Sequence, residues 1–348
     1  MKYINLVKYS LIVLVIGLIF LIPVDSHAAG MAYSVKATIP ENQIDKEKTY
    51  FDLLVKPGAT QELELEIKNT SKETLKLYVE PKVATTNQNG ELEYSVQPKK
   101  YDSTLTYPIT KLLSEKQSVT IDPLATKKVN FTLKVPQKAF SGKIVGGFNI
   151  YDQSNEKAAK EKSTDEEVQI KNLFSFVLGI QIRESTTEVK PKLKLNDVKA
   201  SLFNYRTAIT ANIQNTEPTF LSNLNVKGNI RKIGSKDGLF KFEQSDIAMA
   251  PNSNFDLPIS LENQEIESGN YEITLAATSK QGKWNFTKRF NITNEEAKQF
   301  NAEAVELVEQ SNNKMLIIMI AIGAAVFLML VIIIILLWRK NNRGGMQS

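Results

Sequence analysis

Two hydrophobic patterns divide this chain. Near each end lies an unbroken apolar run, Leu11–Ile22 and Met315–Trp338. Between them apolar residues recur at every second position. Glu62 to Lys68 is the plainest stretch, with Leu63, Leu65 and Ile67 alternating with Glu62, Glu64, Glu66 and Lys68. Successive side chains of a strand point to opposite faces, so this alternation predicts a half-buried β-strand. The same reading predicts strands over 33–39, 50–55, 75–80, 91–96, 119–121 and 127–135. Turn chemistry separates them at Lys56-Pro57-Gly58, Asn69-Thr70-Ser71 and Asn87-Gln-Asn-Gly90. Residues 97–117 are less regular, with a short helical turn expected near Leu112-Leu113. Residues 140–151 read as a strand bulged at Gly146-Gly147.

Asp152 to Gln169 holds nine charged residues and almost nothing bulky and apolar, which predicts a solvated loop. One reading makes it an interdomain linker. The other makes it the tip of a long hairpin in which 170–183 pairs back on 143–151. An internal repeat favours the hairpin. TAITANIQNT (207–216) echoes ELELEIKNT (62–70). Asn254–Leu261 echoes the strand around Phe131, and Ser268–Ala276 echoes Ser141–Asn149. The second half ends on one more strand, 283–292, whose counterpart is 170–183.

Each half therefore offers about seven or eight short strands with turns between them, the pattern of an all-β sandwich. The expected fold is two tandem immunoglobulin-like β-sandwich domains, 30–185 and 186–293. Antibody-type cysteines and core tryptophan are missing, so the expectation concerns architecture only. Thr293-Asn-Glu-Glu296 has the form of a capping box. It predicts a helix with Ala297, Phe300, Ala304, Leu307 and Val308 on one stripe. That helix either forms a stalk over 294–314 or packs on the second domain.

The apolar ends set the expected topology. Leu11–Ile22 follows Lys2 and Lys8 and precedes Pro23 and Ser26-His27-Ala28, the form of a cleavable signal peptide over 1–28. Met315–Trp338 contains 24 uncharged residues. As a helix it would rise roughly 36 Å, enough for a bilayer core of ~30 Å. Arg339, Lys340 and Arg343 follow it, so 339–348 is expected to be cytoplasmic and the region before Met315 extracellular. No Leu-Pro-x-Thr-Gly motif precedes the span, which leaves the helix as the expected anchor on the cell membrane.

Composition narrows the chemistry. The chain carries 43 Lys+Arg against 38 Asp+Glu, a net +5. The leader contributes +1 and the tail +3, leaving +1 for the part between them. The basic balance thus reflects targeting and topology, and gives no reason to expect nucleic acid as a partner. There is no cysteine, and the sole histidine, His27, lies in the leader. Catalytic His or Cys and zinc sites with nitrogen or sulfur ligands are therefore not expected after cleavage. A pair such as Asp52/Glu62 could suggest a glycosidase, but among so many carboxylates nothing sets the separation such enzymes need. Asn87–Gly90 and Gly146-Gly147 precede no helix, which argues against phosphate loops. Tyr94, Tyr101, Tyr107 and Tyr151 could line a glycan surface, or could simply pack at strand edges. Ala321 and Ala325 form a small-xxx-small pair in the predicted span. Four Asn-x-Thr/Ser matches, at Asn69, Asn130, Asn285 and Asn291, would be idle in a bacterium. No catalytic, cofactor-binding or metal-binding residue is assigned, no cofactor is expected, and the ligand-binding residues are unknown.

A set of short stretches carries a resemblance. In the first half these are Tyr33-Ser-Val…Pro40-Glu-Asn-Gln, Tyr50-Phe-Asp-Leu…Lys56-Pro-Gly, Ala84-Thr-Thr-Asn-Gln-Asn-Gly and Phe140-Ser-Gly…Gly-Gly. In the second they are Lys171-Asn-Leu…Leu178-Gly-Ile-Gln-Ile-Arg, Thr210-Ala-Asn-Ile-Gln-Asn, Met249-Ala-Pro-Asn-Ser-Asn-Phe-Asp and Gly282-Lys-Trp-Asn-Phe. Together they resemble the WxL-interacting proteins of low-GC Gram-positive bacteria. The resemblance implies an N-terminal peptidoglycan-binding domain and a second, host-binding domain. The family's border is expected inside 152–169. It also implies WxL-domain surface proteins, peptidoglycan and host extracellular matrix as partners. Trp284 precedes Asn-Phe and Trp338 precedes Arg-Lys, so neither forms Trp-x-Leu, and the chain is expected to be the partner of WxL proteins. The expected function is a non-catalytic, membrane-anchored surface scaffold or adhesin. Alternatives are a carboxylate-based wall-glycan hydrolase and a chaperone-like sandwich for surface-protein assembly.

Overall fold

The computed structural model describes residues 31–154, 174–234, 240–305, 307, 322, 324 and 327–335. The expected signal peptide lies outside them, as does most of the expected span, including Ala321 and Ala325. Among the described residues no helix is long and apolar enough to cross a membrane. Residues 327–335 are helical and exposed.

The chain is all-β with two short helices. Its first strands are β1 (Tyr33–Ala37), β2 (Phe51–Leu54), β3 (Thr60–Asn69), β4 (Leu75–Val83), β5 (Thr85–Thr86) and β6 (Leu92–Glu93). A 3-10 turn at Ile109–Lys111 follows, then β7 (Gln117–Ile121), β8 (Thr126–Lys134), β9 (Ile144–Asp152) and β10 (Ser175–Arg183). β1-β3-β8 form one sheet and β2-β10-β9-β4-β7 another. Leu63, Leu65 and Phe131 from the first share one buried cluster with Leu77, Phe148 and Ile180 from the second. Phe148 stands 4.8 Å from Phe131 and 6.1 Å from Phe51, ring centre to ring centre, so aromatic packing joins the two layers. Burying one such side chain stabilises the fold by roughly 1.5–3 kcal/mol.

The second unit holds β11 (Leu193–Phe203), β12 (Arg206–Asn215), β13 (Leu221–Lys232), β14 (Phe240–Met249), β15 (Ser253–Ser260), β16 (Gly269–Ser279) and β17 (Gly282–Ile292). Its sheets are β11-β12-β15 and β14-β13-β16-β17. Replacing β3, β8, β9 and β10 by β12, β15, β16 and β17 carries the first topology onto the second. These are the strands whose sequences echo one another. Among the described residues β2, which pairs parallel to β10, and the β5–β6 hairpin lack a counterpart.

The echoed Asn-Thr ends have a physical cause. Asn69 and Asn215 are both fully buried at the last position of their strands. The Asn69 amide donates to the carbonyls of Glu73, Ile121 and Asp122, and its oxygen accepts from the Ser71 amide. Asn215 donates to the Thr219 and Ala250 carbonyls and accepts from the Glu217 amide. Each side chain closes an Asx-type turn and ties it to a strand connection elsewhere in its unit, satisfying backbone groups that water cannot reach.

Two expectations need correction. β9 is not bulged at Gly146-Gly147: its register runs unbroken against both β10 and β4. The glycines make room. A Cβ on Gly146 would stand 2.2 Å from the Lys82 carbonyl oxygen, and one on Gly147 would meet Val177 at 2.8 Å. The helix after Thr293 is also shorter than its apolar stripe suggested. α1 (Asn294–Glu303) stops where Ala304 turns extended. Its capping box is formed, with Glu296 N–H donating to Thr293 and Thr293 N–H to the Glu296 carboxylate. Ala297 is buried and Phe300 packs against the second unit's core. Asn301 exchanges two hydrogen bonds with the Ile266 backbone, so α1 lies on that unit. The hairpin of 170–183 on 143–151 is present, with Ser175 opposite Tyr151 and Ile182 opposite Ile144.

Candidate functional site

The two units meet through a built polar interface. Its elements come from the segment 84–105 of the first unit, which holds β5, β6 and the start of the less regular stretch, and from β12 and the β14–β15 turn of the second. Asp102 is its centre. Its carboxylate accepts from the Gln214 amide at 2.9 and 3.0 Å and from the Asn254 amide at 2.5 Å. It also accepts from the backbone and hydroxyl of Thr104. Burial pushes the Asp102 pKa up, but the hydrogen bonds from Thr104, Asn254 and Gln214 outweigh it and hold the carboxyl below the usual range.

Beside it a closed ring of hydrogen bonds locks the units together. Ala250 N–H donates to the Thr86 hydroxyl, and Ser253 O–H donates to the Ala250 carbonyl. Thr86 and Ser253 share a 2.8 Å bond, and since Ser253 has spent its proton, Thr86 donates it. The hairpin of β5 and β6 reaches further. Ala248 N–H donates to the Gly90 carbonyl at 2.7 Å, and Gln244 donates to that of Asn89. Gly90 has φ +75°, and a Cβ there would press on Ile247 at 2.9 Å, so glycine serves both the turn and the contact. A small apolar cluster of Ala84, Val145 and Ala250, flanked by Tyr94 and Phe220, seals the middle.

These contacts frame a cleft of about 660 Å³ between the units. One wall is Thr85–Asn89 with Glu93 and Val96; the other is Phe203, Asn204, Asn212 and Asn254–Asp256. Its lining is rich in amides and hydroxyls, holds two carboxylates, and includes no lysine or arginine. Glu93 is committed to Ser95, whose backbone and hydroxyl both donate to it. Asp256 accepts from Asn212 through Oδ1, and Asn212 in turn accepts from Asn196. Asn204 sits at φ +51° in the tight β11–β12 turn, a conformation asparagine tolerates, which sets its amide at the rim. A smaller cavity of about 230 Å³ continues past Val96 to Tyr101 and Asp102. Among the described residues no group of His, Cys, Asp or Glu is arranged to hold a metal ion.

Of the residues weighed from sequence, Tyr94 flanks the apolar cluster and Tyr101 lines the smaller cavity, whereas the carboxylate pair lies elsewhere. Asp52 and Glu62 are on different sheets. Asp52 is fully buried and paired with Arg183 at 2.5 Å and Lys48 at 3.0 Å, while Glu62 accepts from Thr132. Burial raises the Asp52 pKa, but Arg183 and then Lys48 outweigh it and hold the carboxyl low. The four tyrosines keep different company. Tyr94 lies over Gly147, Tyr101 shares a hydrogen bond with Thr110, Tyr107 packs on Phe140, and Tyr151 packs on Tyr78. The cleft residues themselves were not singled out as a site. Nine of them fall in three of the stretches that carry the family resemblance, Ala84–Gly90, Thr210–Asn215 and Met249–Asp256, while Glu93, Val96, Phe203 and Asn204 lie outside these. That coincidence was the available signal.

Fold and cleft together define a two-unit, all-β protein with a polar cleft between its units. Residues 33–152 match the model for the peptidoglycan binding domain of WxL Interacting Protein, and 165–302 match that for its host binding domain. The chain belongs to the WxL-interacting protein family. The second match begins ahead of β10, although β10 pairs inside the first unit's sheet. No curated protein matches the chain significantly. Solved structures that match the chain include the Pseudomonas aeruginosa CupB2 chaperone, at 10% identity, 67% of this chain, 93% of that chain and TM-score 0.25. The E. coli chaperone DraB matches at 10% identity, 75% of this chain, 98% of that chain and TM-score 0.25. The PapD-like domain 7 of human CEP192 matches at 13% identity, 45% and 87% coverage and TM-score 0.24. These scores are too low to relate the chains' functions.

Proposed function

We propose that this protein is a non-catalytic scaffold on the outer face of the cell, binding peptidoglycan, WxL-domain proteins and host matrix. In this reading two immunoglobulin-like sandwiches, 30–185 and 186–293, form the ectodomain. A leader over 1–28 directs secretion, 294–314 joins the ectodomain to a membrane helix over 315–338, and 339–348 lies inside. The observation that carries the binding role is the interface: family-matched peptidoglycan- and host-binding regions are joined through Asp102 and the Thr86–Ser253–Ala250 ring, and a preformed polar cleft opens between them. A scaffold benefits from such rigidity, because a site held in place loses little freedom on binding.

The full chain, displayed on its own membrane, tests this against cell-wall extract. WxL-domain proteins and peptidoglycan should both be retained, with no soluble fragments released from the peptidoglycan. Recovery of neither partner would sink the binding role, and released fragments would sink the non-catalytic one.

A further inference from the structure

We infer that the cleft between the two units is a single composite site for an uncharged N-acetylated glycan strand, so that the sugar backbone, rather than a charged group, is what it recognises. This rests on the wall-binding reading above and adds the place and the chemistry.

The cleft's free groups carry the inference. Among the described residues Gln88, Asn89 and Asn204 have no side-chain hydrogen-bond partner, and neither has Oδ2 of Asp256, although all line the cavity. A primary amide presents donors and an acceptor together. So do a sugar hydroxyl and an acetamido group, and an amide-lined wall can meet either without a counter-charge. Phe203 and Val96, the latter 58% exposed, give the same cavity two apolar edges suited to the C–H faces of a pyranose. The volume of about 660 Å³ falls in the range of roughly 300–1,000 Å³ typical of ligand pockets.

Charge decides between polymers. The lining holds Glu93 and Asp256 and no cation, so a phosphate- or uronate-bearing chain would bring like charges together with nothing to offset them. Lys100 lines the smaller cavity beyond Val96, on the side of Asp102, and Lys138 and Lys143 line a separate interface cavity with Thr216 and Pro218; none of the three lines the cleft itself. The walls are also fixed in advance. Asn254, which lines the cleft, donates to Asp102, and the Asn89 carbonyl is held by Gln244. A strand seated here would touch both matched regions at once, Gln88 and Asn89 from the first and Asn204 and Asp256 from the second.

Calorimetric titration of the full chain in detergent with chitohexaose, a neutral N-acetylglucosamine oligomer, tests the inference. A hyaluronan oligosaccharide, with the same amino sugar alternating with uronate, provides the host-matrix arm. Insoluble peptidoglycan sedimentation runs in parallel. Chitohexaose should bind, and hyaluronan should bind at least tenfold more weakly. Gln88→Ala and Asn204→Gly, the latter keeping the left-handed turn, should each weaken chitohexaose about tenfold, the effect of one or two lost hydrogen bonds. Asn285→Ala, on the outward face of β17, should leave binding unchanged. If peptidoglycan sediments the protein but chitohexaose does not bind, or the cleft variants bind normally, the composite site is wrong while the wall-binding reading stands. Equal binding of hyaluronan overturns the neutral-glycan assignment. Failure to bind peptidoglycan as well removes both.

Discussion

The two units share a strand plan and differ in how they fill and charge it. The first has one continuous core, in which Phe51, Phe131 and Phe148 touch across the layers. The second has two clusters, with Leu195 and Phe242 packed against both. The first buries an ion pair, Asp52 with Arg183, whose side chains are 0% and 15% exposed. The second places Glu272 between Arg231 and Arg289, which are 48% and 76% exposed. The first also carries the segment 84–105, and that segment makes most of its half of the interface. A repeated plan thus kept its hydrogen-bond closures, Asn69 and Asn215, while one copy grew the extra segment that turns two units into one site.

Substitutions at matched positions would break or sharpen this contrast. The largest effect is expected in the aromatic core. Phe148→Ala should cost about 4 kcal/mol, against about 3 kcal/mol for Leu275→Ala at the echoed position, read by chemical denaturation. Equal costs would mean that the continuous core confers no extra cohesion. Next come the ion pairs. Arg183→Leu leaves Asp52 buried with only Lys48, and should destabilise by about 3 kcal/mol. Arg289→Leu, at a mostly solvated pair, should leave the melting temperature unchanged. A large loss at Arg289 would erase the distinction.

The shared closures should rank by the carbonyls they serve. Asn69→Ala removes hydrogen bonds to three carbonyls, and Asn215→Ala to two, for about 3 and 2 kcal/mol at roughly 1 kcal/mol per bond. Smallest is the interface itself. Asp102→Ala should cost about 1–2 kcal/mol and separate the two units' melting in calorimetry. Acid should do the same reversibly. The Asp102 pKa is depressed in the folded protein, so its contribution is present above the unfolded value of ~3.9 and is lost as pH falls through the lower folded value. Coupling that survives acidification far enough to protonate Asp102 would show that its carboxylate is not what joins the units.

The strands were legible because burial of one sheet face imposes a period of two. The repeat was legible because Asn69 and Asn215 perform the same backbone closure, which few other side chains could. Gly146-Gly147 was misread because glycine signals only that a side chain is unwelcome, and the reason was the Lys82 carbonyl and Val177 on neighbouring strands. The interface segment from Thr85 to Thr104, whose part from Gln97 onward gave no period, was not legible as a site because its interface partners lie more than a hundred residues away. Its polar side chains satisfy groups on β12 and on the β14–β15 turn, and follow no face of their own sheet.

The sequence alone determined that this is a chain of alternating strands in two echoed halves, with a capped helix after the second and apolar runs at its ends. Those features follow from local periodicity and backbone chemistry, which each residue reports about itself. Only the tertiary structure decided that β2 pairs parallel to β10, that α1 lies on the second unit, and that Thr86, Asp102, Asn254 and Asp256 meet. Hydrogen bonds between distant polar groups leave no periodic mark on a chain, and so a site built from them becomes visible only when the two units are brought together.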